Sequence, residues 1–227
     1  MKTQILSALA FASTALAQGF VFERLNKSDA ALLIVDHQIG LLSIVGDVEP
    51  TKFRNAIFAH AALGPLFGLP VVITSSADTG ANGMVPAELL QSNPNATIVK
   101  RAGEVNSWDS PEFRAAVEAT GKKQMIIAGV TTDICTTFLA LSLREAGYSV
   151  WANTEASGTF DKTLSDNANR RMESAGVHLM GLFALISDLM RDWRATPGAP
   201  EVLPFVDRYI PAYSWVARAH TDAIANN

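Results

Sequence analysis

The stretch Ala30-Ala31-Leu32-Leu33-Ile34-Val35-Asp36 decides the fold class of this chain. Its apolar residues follow one another without alternation, a pattern typical of a strand that is buried on both faces of a parallel sheet. Comparable apolar runs recur at Pro70–Ser75, Thr97–Val99, Gln124–Gly129, Tyr148–Asn153 and Val177–Met180. The sequence therefore predicts a series of buried strands, and Asp36 marks the end of the first.

Helical patterns lie between the apolar runs. They span Phe53–Leu66, Pro86–Gln91, Ser110–Gly121, Ile134–Ala146, Leu164–Ala175 and Leu182–Trp193. Regular alternation of strands and helices indicates a parallel sheet that is covered on both faces. We therefore predict an α/β fold, a three-layer α/β/α arrangement around a mostly parallel six-stranded sheet with the Rossmann-like order 3-2-1-4-5-6.

The two ends of the chain depart from this pattern. Residues 1–17 start weakly basic, continue with the apolar segment Ile5–Ala15 and finish on Ala15-Leu16-Ala17, so they are predicted to be the signal peptide of a secreted protein. An amphipathic N-terminal helix is the alternative interpretation. The predicted domain covers residues 18–195. Residues 196–227 form an extension, rich in proline and aromatic residues, that is expected to pack on the core or on a neighbouring subunit.

Composition narrows the classes of partner. Hydrophobic residues make up 48% of the 227 residues and charged residues 18%, which is enough for a packed core. The formal net charge is −4 and no basic run occurs, so neither nucleic acid nor an anionic membrane surface is expected as a partner. The apolar N-terminal segment is also too short to span a membrane.

Ionisable groups follow three of the predicted strands. Asp36 follows the first strand, Lys100 and Arg101 the third, and Cys135, the only cysteine, follows the fourth. Ligands of open parallel sheets bind beyond the carboxyl ends of the strands, where the strand order reverses. Asp36 and Cys135 are therefore expected to face each other across a crevice, with a cation nearby. Taken singly, each has a plain interpretation as a helix cap, a surface charge or a small buried hydrophobe.

A cysteine, an aspartate and a cation in one crevice make a coherent nucleophilic site. The thiol would attack a carbonyl carbon, and Asp36 would take its proton and return it to the leaving group. Since Cys135 opens a predicted helix beside a cation, we expect its pKa to be lowered toward the reactive thiolate.

Several separated motifs, in order, resemble the isochorismatase-like cysteine hydrolase superfamily, and most closely its YcaC-type branch. They are Val35–Leu42, Asn106–Asp109, Gly121–Gln124, Gly129–Cys135 and Ala156–Phe160. The resemblance implies an Asp–Lys/Arg–Cys triad in which Asp36 and Cys135 have clear counterparts. The branch pattern Arg-Pro-Gly favours Arg101 as the cation of this triad, although Ala102 stands in place of the proline. Lys100 stays open as the alternative.

The resemblance also carries expectations about the backbone and about cofactors. It implies a cis peptide at Val130–Thr131 and an oxyanion site built from backbone groups at Val130, Thr131 and Cys135. Metal-dependent nicotinamidases of the superfamily use an Asp-x-His motif, whereas this chain has Asp78-Thr79-Gly80 at the corresponding place. We therefore predict no catalytic metal and no cofactor.

The function implied is hydrolysis of a C–N, amide-like bond of a small molecule through a thioester. Two alternatives stay open: hydrolysis of the vinyl ether isochorismate, which relies on acid catalysis by Asp36, and a secreted interaction protein without catalysis. Members of the superfamily usually assemble as tetramers or octamers, so a homo-oligomer is expected.

Overall fold

The computed structural model describes residues 21–226, and the signal peptide predicted at residues 1–17 lies outside them. One six-stranded parallel sheet forms the centre of the described chain. Its strands are β1 (Ala30–Val35), β2 (Val71–Ser76), β3 (Thr97–Arg101), β4 (Gln124–Gly129), β5 (Ser149–Asn153) and β6 (His178–Met180). Their order is β3-β2-β1-β4-β5-β6, which confirms the predicted topology.

The helices cover both faces of this sheet. They are α1 (Ile39–Leu42), α2 (Pro50–Phe67), α3 (Ala87–Ser92), α4 (Pro111–Ala119), α5 (Thr137–Glu145), α6 (Lys162–Ser174), α7 (Leu182–Met190), α8 (Ala199–Tyr209) and α9 (Pro211–Ala225). A 3₁₀ turn, Ser107–Asp109, precedes α4, and a π-helical turn, Thr132–Thr136, precedes α5. Within residues 21–226, none of the helices has the length and apolar character needed to cross a membrane.

Strand β1 divides the core into two layers. Leu32 and Ile34 pack with residues of α2, α7 and α8 on one face of the sheet, whereas Leu33 and Val35 pack with α4 and α5 on the other. All residues of β1 and β4 are buried, which explains their unbroken apolar sequences. The packed centre of the sheet thus sets the positions of the residues that follow both strands.

Local sequence explains most helix boundaries. Ser110 caps α4, since its hydroxyl accepts from the Phe113 N–H at 3.2 Å, and Pro111 is the first helical residue. Helix α2 begins three residues earlier than expected, because the Glu49 side chain accepts from two N–H groups of its first turn. Helix α7 ends at Met190 rather than at Trp193, because Arg191 has a φ of 69°.

The helix predicted over Ile134–Ala146 differs from the structure at its start. The N–H of Thr136 donates to the Thr131 carbonyl at 3.1 Å, and the Thr137 hydroxyl donates to the Thr132 carbonyl at 2.6 Å. These bonds form a wider, π-helical turn that holds Cys135, and regular α-helix begins only at Thr137. Such turns occur often at functional sites.

The C-terminal segment forms two helices that the sequence pattern did not indicate. In α8, Val202, Phe205 and Val206 are buried in the same core layer as α2 and α7. Helix α9 buries only Ala217. Within one chain, α8 therefore belongs to the core, while most of α9 is solvent-facing.

Candidate active site

Asp36 occupies the centre of the carboxyl edge of the sheet. It directly follows Val35, which is paired with Gly129 at the end of β4. The Asp36 backbone has a φ of 54°, a left-handed conformation that aspartate tolerates better than most residues. Its N–H donates to the Thr74 carbonyl at 3.0 Å, and its carbonyl accepts from the Gln38 N–H at 2.8 Å. These bonds turn the chain sharply and leave the Asp36 side chain fully buried.

Arg101 pairs with Asp36. Its Nη2 donates to both carboxylate oxygens, with 2.5 Å between Nη2 and Oδ2. Its Nε donates to Oγ1 of Thr74 at 3.0 Å, and its Nη1 donates to the carbonyl of Glu104. The ion pair is fully buried, so the remaining hydrogen bonds are needed to offset the desolvation of two charges. The guanidinium is therefore held in one orientation toward Asp36.

Lys100 does not reach this pair, so the alternative assignment of the cation to Lys100 is wrong. Its Nζ lies 2.8 Å from Oδ2 of Asp78, and 62% of its side chain is exposed. The reason is the alternation of a strand, because successive side chains of β3 point to opposite faces. Lys100 and Arg101 are neighbours in sequence, and the sheet sends only Arg101 into the interior.

Cys135 lies in the π-helical turn and is partly buried. Burial, followed by the charge of Asp36 and a hydrogen bond to it, raises the pKa of Cys135 to about 12, against smaller lowering effects of a backbone hydrogen bond from Thr131 and of Arg101. The expectation of a lowered thiol pKa is therefore wrong. The main physical reason is burial of the sulfur, and in addition the negative charge of Asp36 acts on the thiolate more strongly than the positive charge of Arg101.

The pKa of Asp36 is raised as well, by burial, although Arg101 and the hydrogen bonds with Arg101 and Cys135 act in the opposite direction. A carboxylate that holds a proton more readily than usual is a better base toward a neighbouring thiol. The resting arrangement is thus a neutral thiol beside a buried carboxylate. Proton transfer from Cys135 to Asp36 is the step for which this geometry is suited.

The peptide bond Val130–Thr131 is cis, as the resemblance implied. The N–H of Val130 donates to the Val35 carbonyl at 3.2 Å and extends the β1–β4 pairing, so Val130 offers no free N–H to an oxyanion. The N–H of Thr132 is likewise occupied, by the Gly158 carbonyl at 3.0 Å. Two N–H groups stay as candidate donors to an oxyanion, those of Thr131 and Cys135. The N–H of Thr131 is directed at the Cys135 sulfur.

Gln38 is a supporting residue that sequence reasoning missed. Its buried side-chain amide donates to the carbonyls of Ser76 at 3.0 Å and Gly83 at 2.6 Å, and it accepts from the Ser76 N–H at 2.8 Å. It thereby ties the end of β2 and the following loop to the turn at Asp36. The one available signal was its place two residues after Asp36, where a polar side chain has to find partners if it is buried.

Two histidines lie beneath the site. Nε2 of His37 is 2.9 Å from the Ala156 carbonyl, and Nε2 of His60 is 3.2 Å from the Leu33 carbonyl. Burial lowers the pKa of His37 to about 4 and that of His60 to about 3. Both are therefore neutral at physiological pH. In the described chain, no three His, Cys, Asp or Glu side chains are grouped closely enough to hold a metal ion.

An apolar cavity of about 650 Å³ lies beside the crevice, between α1, α2 and α3. Val45 and Phe53 belong to its wall, and both lie against Gly158: a Cβ at that position would lie 2.6 Å from Cγ1 of Val45 and 3.1 Å from the Phe53 ring. Gly158 in turn binds the Thr132 N–H. The cavity wall is thus coupled to the cysteine turn, although Asp36, Arg101 and Cys135 do not line the cavity.

Comparisons with known proteins give the same assignment. Residues 30–182 match the Isochorismatase domain. The chain is 47% identical to "Probable hydrolase YcaC" of Escherichia coli (strain K12) over 173 residues, which cover 76% of this chain and 83% of that protein.

Two solved structures are similar over almost the whole described chain. YcaC from Pseudomonas aeruginosa, solved with hexane-2,5-diol and covalent acrylamide, is 42% identical with a TM-score of 0.86, covering 89% of this chain and 99% of that one. The E. coli YcaC gene product, described as an octameric hydrolase of unknown specificity, is 43% identical with a TM-score of 0.86, covering 90% and 99%. The chain therefore belongs to the isochorismatase-like hydrolase superfamily, in its YcaC branch.

Proposed function

We propose that this hydrolase cleaves an amide-like C–N bond of a small molecule through a thioester on Cys135. The observation that carries the proposal is the position of Asp36, which is buried between the Arg101 guanidinium and the Cys135 thiol. A carboxylate in that position can accept the thiol proton while remaining oriented by a fixed cation.

In the first half of the proposed reaction, the sulfur of Cys135 attacks the carbonyl carbon and the thiol proton passes to Asp36. The carbonyl oxygen becomes an oxyanion, for which the N–H groups of Thr131 and Cys135 are the donors. Collapse of this intermediate breaks the C–N bond. Asp36 gives its proton to the leaving nitrogen, and a thioester remains.

In the second half, water attacks the thioester carbon and Asp36 takes one proton from that water. Collapse then breaks the C–S bond, and the sulfur recovers the proton, so a carboxylic acid leaves and the resting thiol returns. Arg101 exchanges no proton in either half. It keeps Asp36 in place and stabilises its carboxylate whenever the proton is elsewhere.

Covalent acrylamide in the P. aeruginosa relative supports a reactive nucleophile of this kind. In this chain the acceptor would be Cys135, since a thiol adds readily to an electron-poor double bond. Incubation with acrylamide followed by peptide mass spectrometry should place one adduct on Cys135. The rate of labelling at Cys135 is divided by the rate for a free cysteine with the same reagent. This ratio should be lower for iodoacetate, which lacks the amide, than for acrylamide. Equal relative rates for both reagents would argue against recognition of the amide.

Isochorismate hydrolysis is the second candidate. The observation in its favour is the raised pKa of Asp36, because vinyl ether cleavage needs a protonated acid. A Cys135→Ala variant separates the candidates: thioester chemistry is abolished by the change, whereas acid catalysis by Asp36 is retained. The third candidate, an interaction protein without catalysis, would be favoured by absence of turnover across amides, esters and isochorismate.

We also propose that the protein is a secreted homo-oligomer. The pattern of residues 1–17 supports secretion, and the octameric E. coli relative supports assembly. Expression in a secreting host should release a protein that begins at Gln18. Retention in the cells with an intact N-terminus would contradict the assignment of the signal peptide.

A further inference from the structure

Helix α9 presents an inner face to its own chain. Ala217 is buried at 4% exposure, and the Tyr213 ring lies 4.7 Å from that of Phe183 and stacks at 6.3 Å on Trp193. Ala217 is the only residue of this 15-residue helix that is buried within the described chain. A helix of this length gains most of its stability from packing of an apolar face, so α9 is poorly covered by a single chain.

A second face of α9 is apolar and exposed. Ala212, Trp215, Val216 and Ala219 fall within about 100° of arc at 3.6 residues per turn, and we call them the α9 outer face. Trp215 is 76% exposed and Val216 51%. A tryptophan and a valine left open on one helix face are typical of an interface, because large aromatic side chains dominate binding energy.

A cleft adjoins this face. It has a volume of about 190 Å³ and is lined by Trp193, Ala199, Leu203, Tyr213, Val216 and His220. Val216 belongs both to the cleft and to the α9 outer face. The surface thus combines a protruding indole with an apolar recess next to it, which is the arrangement that a two-fold, self-complementary contact requires.

We propose that the α9 outer face packs on the same face of a second copy of this chain, with Trp215 of each copy seated in the cleft of the other. The inference rests on the homo-oligomer proposed above. The match of 90% of this chain to the E. coli relative supports it, since matching every residue up to Gly198 would not reach that share. The octameric relative therefore has counterparts of at least part of the segment that follows Gly198.

The test is light scattering of the full chain with three variants. Trp215→Glu removes the protruding indole and places a charge in the contact. Ala199→Leu fills the cleft from its wall and leaves Trp215 in place. Thr221→Glu is the matched control, because Thr221 is exposed on the same helix outside the α9 outer face. We expect the first two variants to lower the assembly mass at least twofold, and the control to keep that of the wild type.

The outcomes are distinguishable. A monomeric wild type would overturn the proposed homo-oligomer itself. A wild-type oligomer that Trp215→Glu leaves intact would overturn only the inference about α9. Dissociation by Trp215→Glu without any effect of Ala199→Leu would overturn the seating of the indole in the cleft. Ala199→Leu also keeps the proposal testable if Trp215→Glu does not fold, which circular dichroism will show.

Discussion

Nη2 of Arg101 donates to both carboxylate oxygens of Asp36, and neither side chain is exposed to solvent. This pairing, together with burial of the sulfur, affects the pKa of Cys135, the third residue of the site. Because the positive charge of Arg101 is taken up by Asp36, little of it is left to stabilise a thiolate. Burial and, after it, the charge of Asp36 raise the pKa of Cys135, so this residue rests as a thiol, and Asp36 is its proposed proton acceptor.

Substitution of Asp36 should move thiol reactivity and catalysis in opposite directions. In Asp36→Asn the charge that repels the thiolate is gone while Arg101 remains, so we expect the Cys135 pKa to fall and labelling by an aromatic disulfide at pH 8 to accelerate. Turnover should nevertheless drop by about 100-fold or more, since the general base is lost. Labelling that slows or stays constant in this variant would contradict the assigned cause of the raised pKa.

Removal of Arg101 should destabilise the protein as well as inactivate it. Arg101→Ala leaves a buried carboxylate without its partner, and breaking a buried ion pair costs about 3–5 kcal/mol of unfolding free energy. Lys100→Ala is the matched control, since its surface pair with Asp78 contributes about 0–1 kcal/mol. Urea denaturation measures both. An Arg101→Ala variant as stable as the control would show that the pair is not buried as described.

Stability should decline below pH 6.5 because of the buried histidines. The pKa values of His37 and His60 are lower in the folded than in the unfolded chain, so the unfolded chain binds protons first as the pH falls. Their contribution is complete above pH 6.5 and is lost progressively as the pH falls to about 4 for His37 and to about 3 for His60, by about 3 kcal/mol for His37 alone.

Denaturation curves between pH 7 and pH 4 test this dependence. His37→Gln should flatten the profile relative to that of the wild type. A profile equally steep in wild type and His37→Gln would assign the effect to other groups.

The contact between Gly158 and the cavity wall should not tolerate a methyl group. Gly158→Ala would bring Cβ to 2.6 Å from Val45 and 3.1 Å from Phe53, so the segment that binds the cysteine turn has to shift. We expect a loss of about 1–3 kcal/mol of stability and reduced turnover. Gly103→Ala is the control, since a Cβ there meets nothing within 4 Å. Equal effects of both changes would mean that the contact is not restrictive.

The sheet could be predicted from the sequence because β1 and β4 are buried on both faces, which leaves unbroken apolar runs. The position of Asp36 and Cys135 followed from strand order. The choice between Lys100 and Arg101 did not follow from strand order. It depends on which side chains of β3 point to the interior, and therefore on where β3 ends. The pKa of Cys135 depends on the proximity of two residues far apart in sequence, and helix position alone gave the wrong direction.

In the proposed mechanism, Cys135 carries the acyl group during turnover. The most direct measurement is peptide mass spectrometry of acid-quenched reactions with a panel of small amides and esters, run in parallel on wild type and Cys135→Ala. We predict an acyl adduct on Cys135 of the wild type, together with a loss of turnover of about 10⁴-fold or more in the variant. Turnover by Cys135→Ala at the wild-type rate, with no adduct in either protein, would contradict the account.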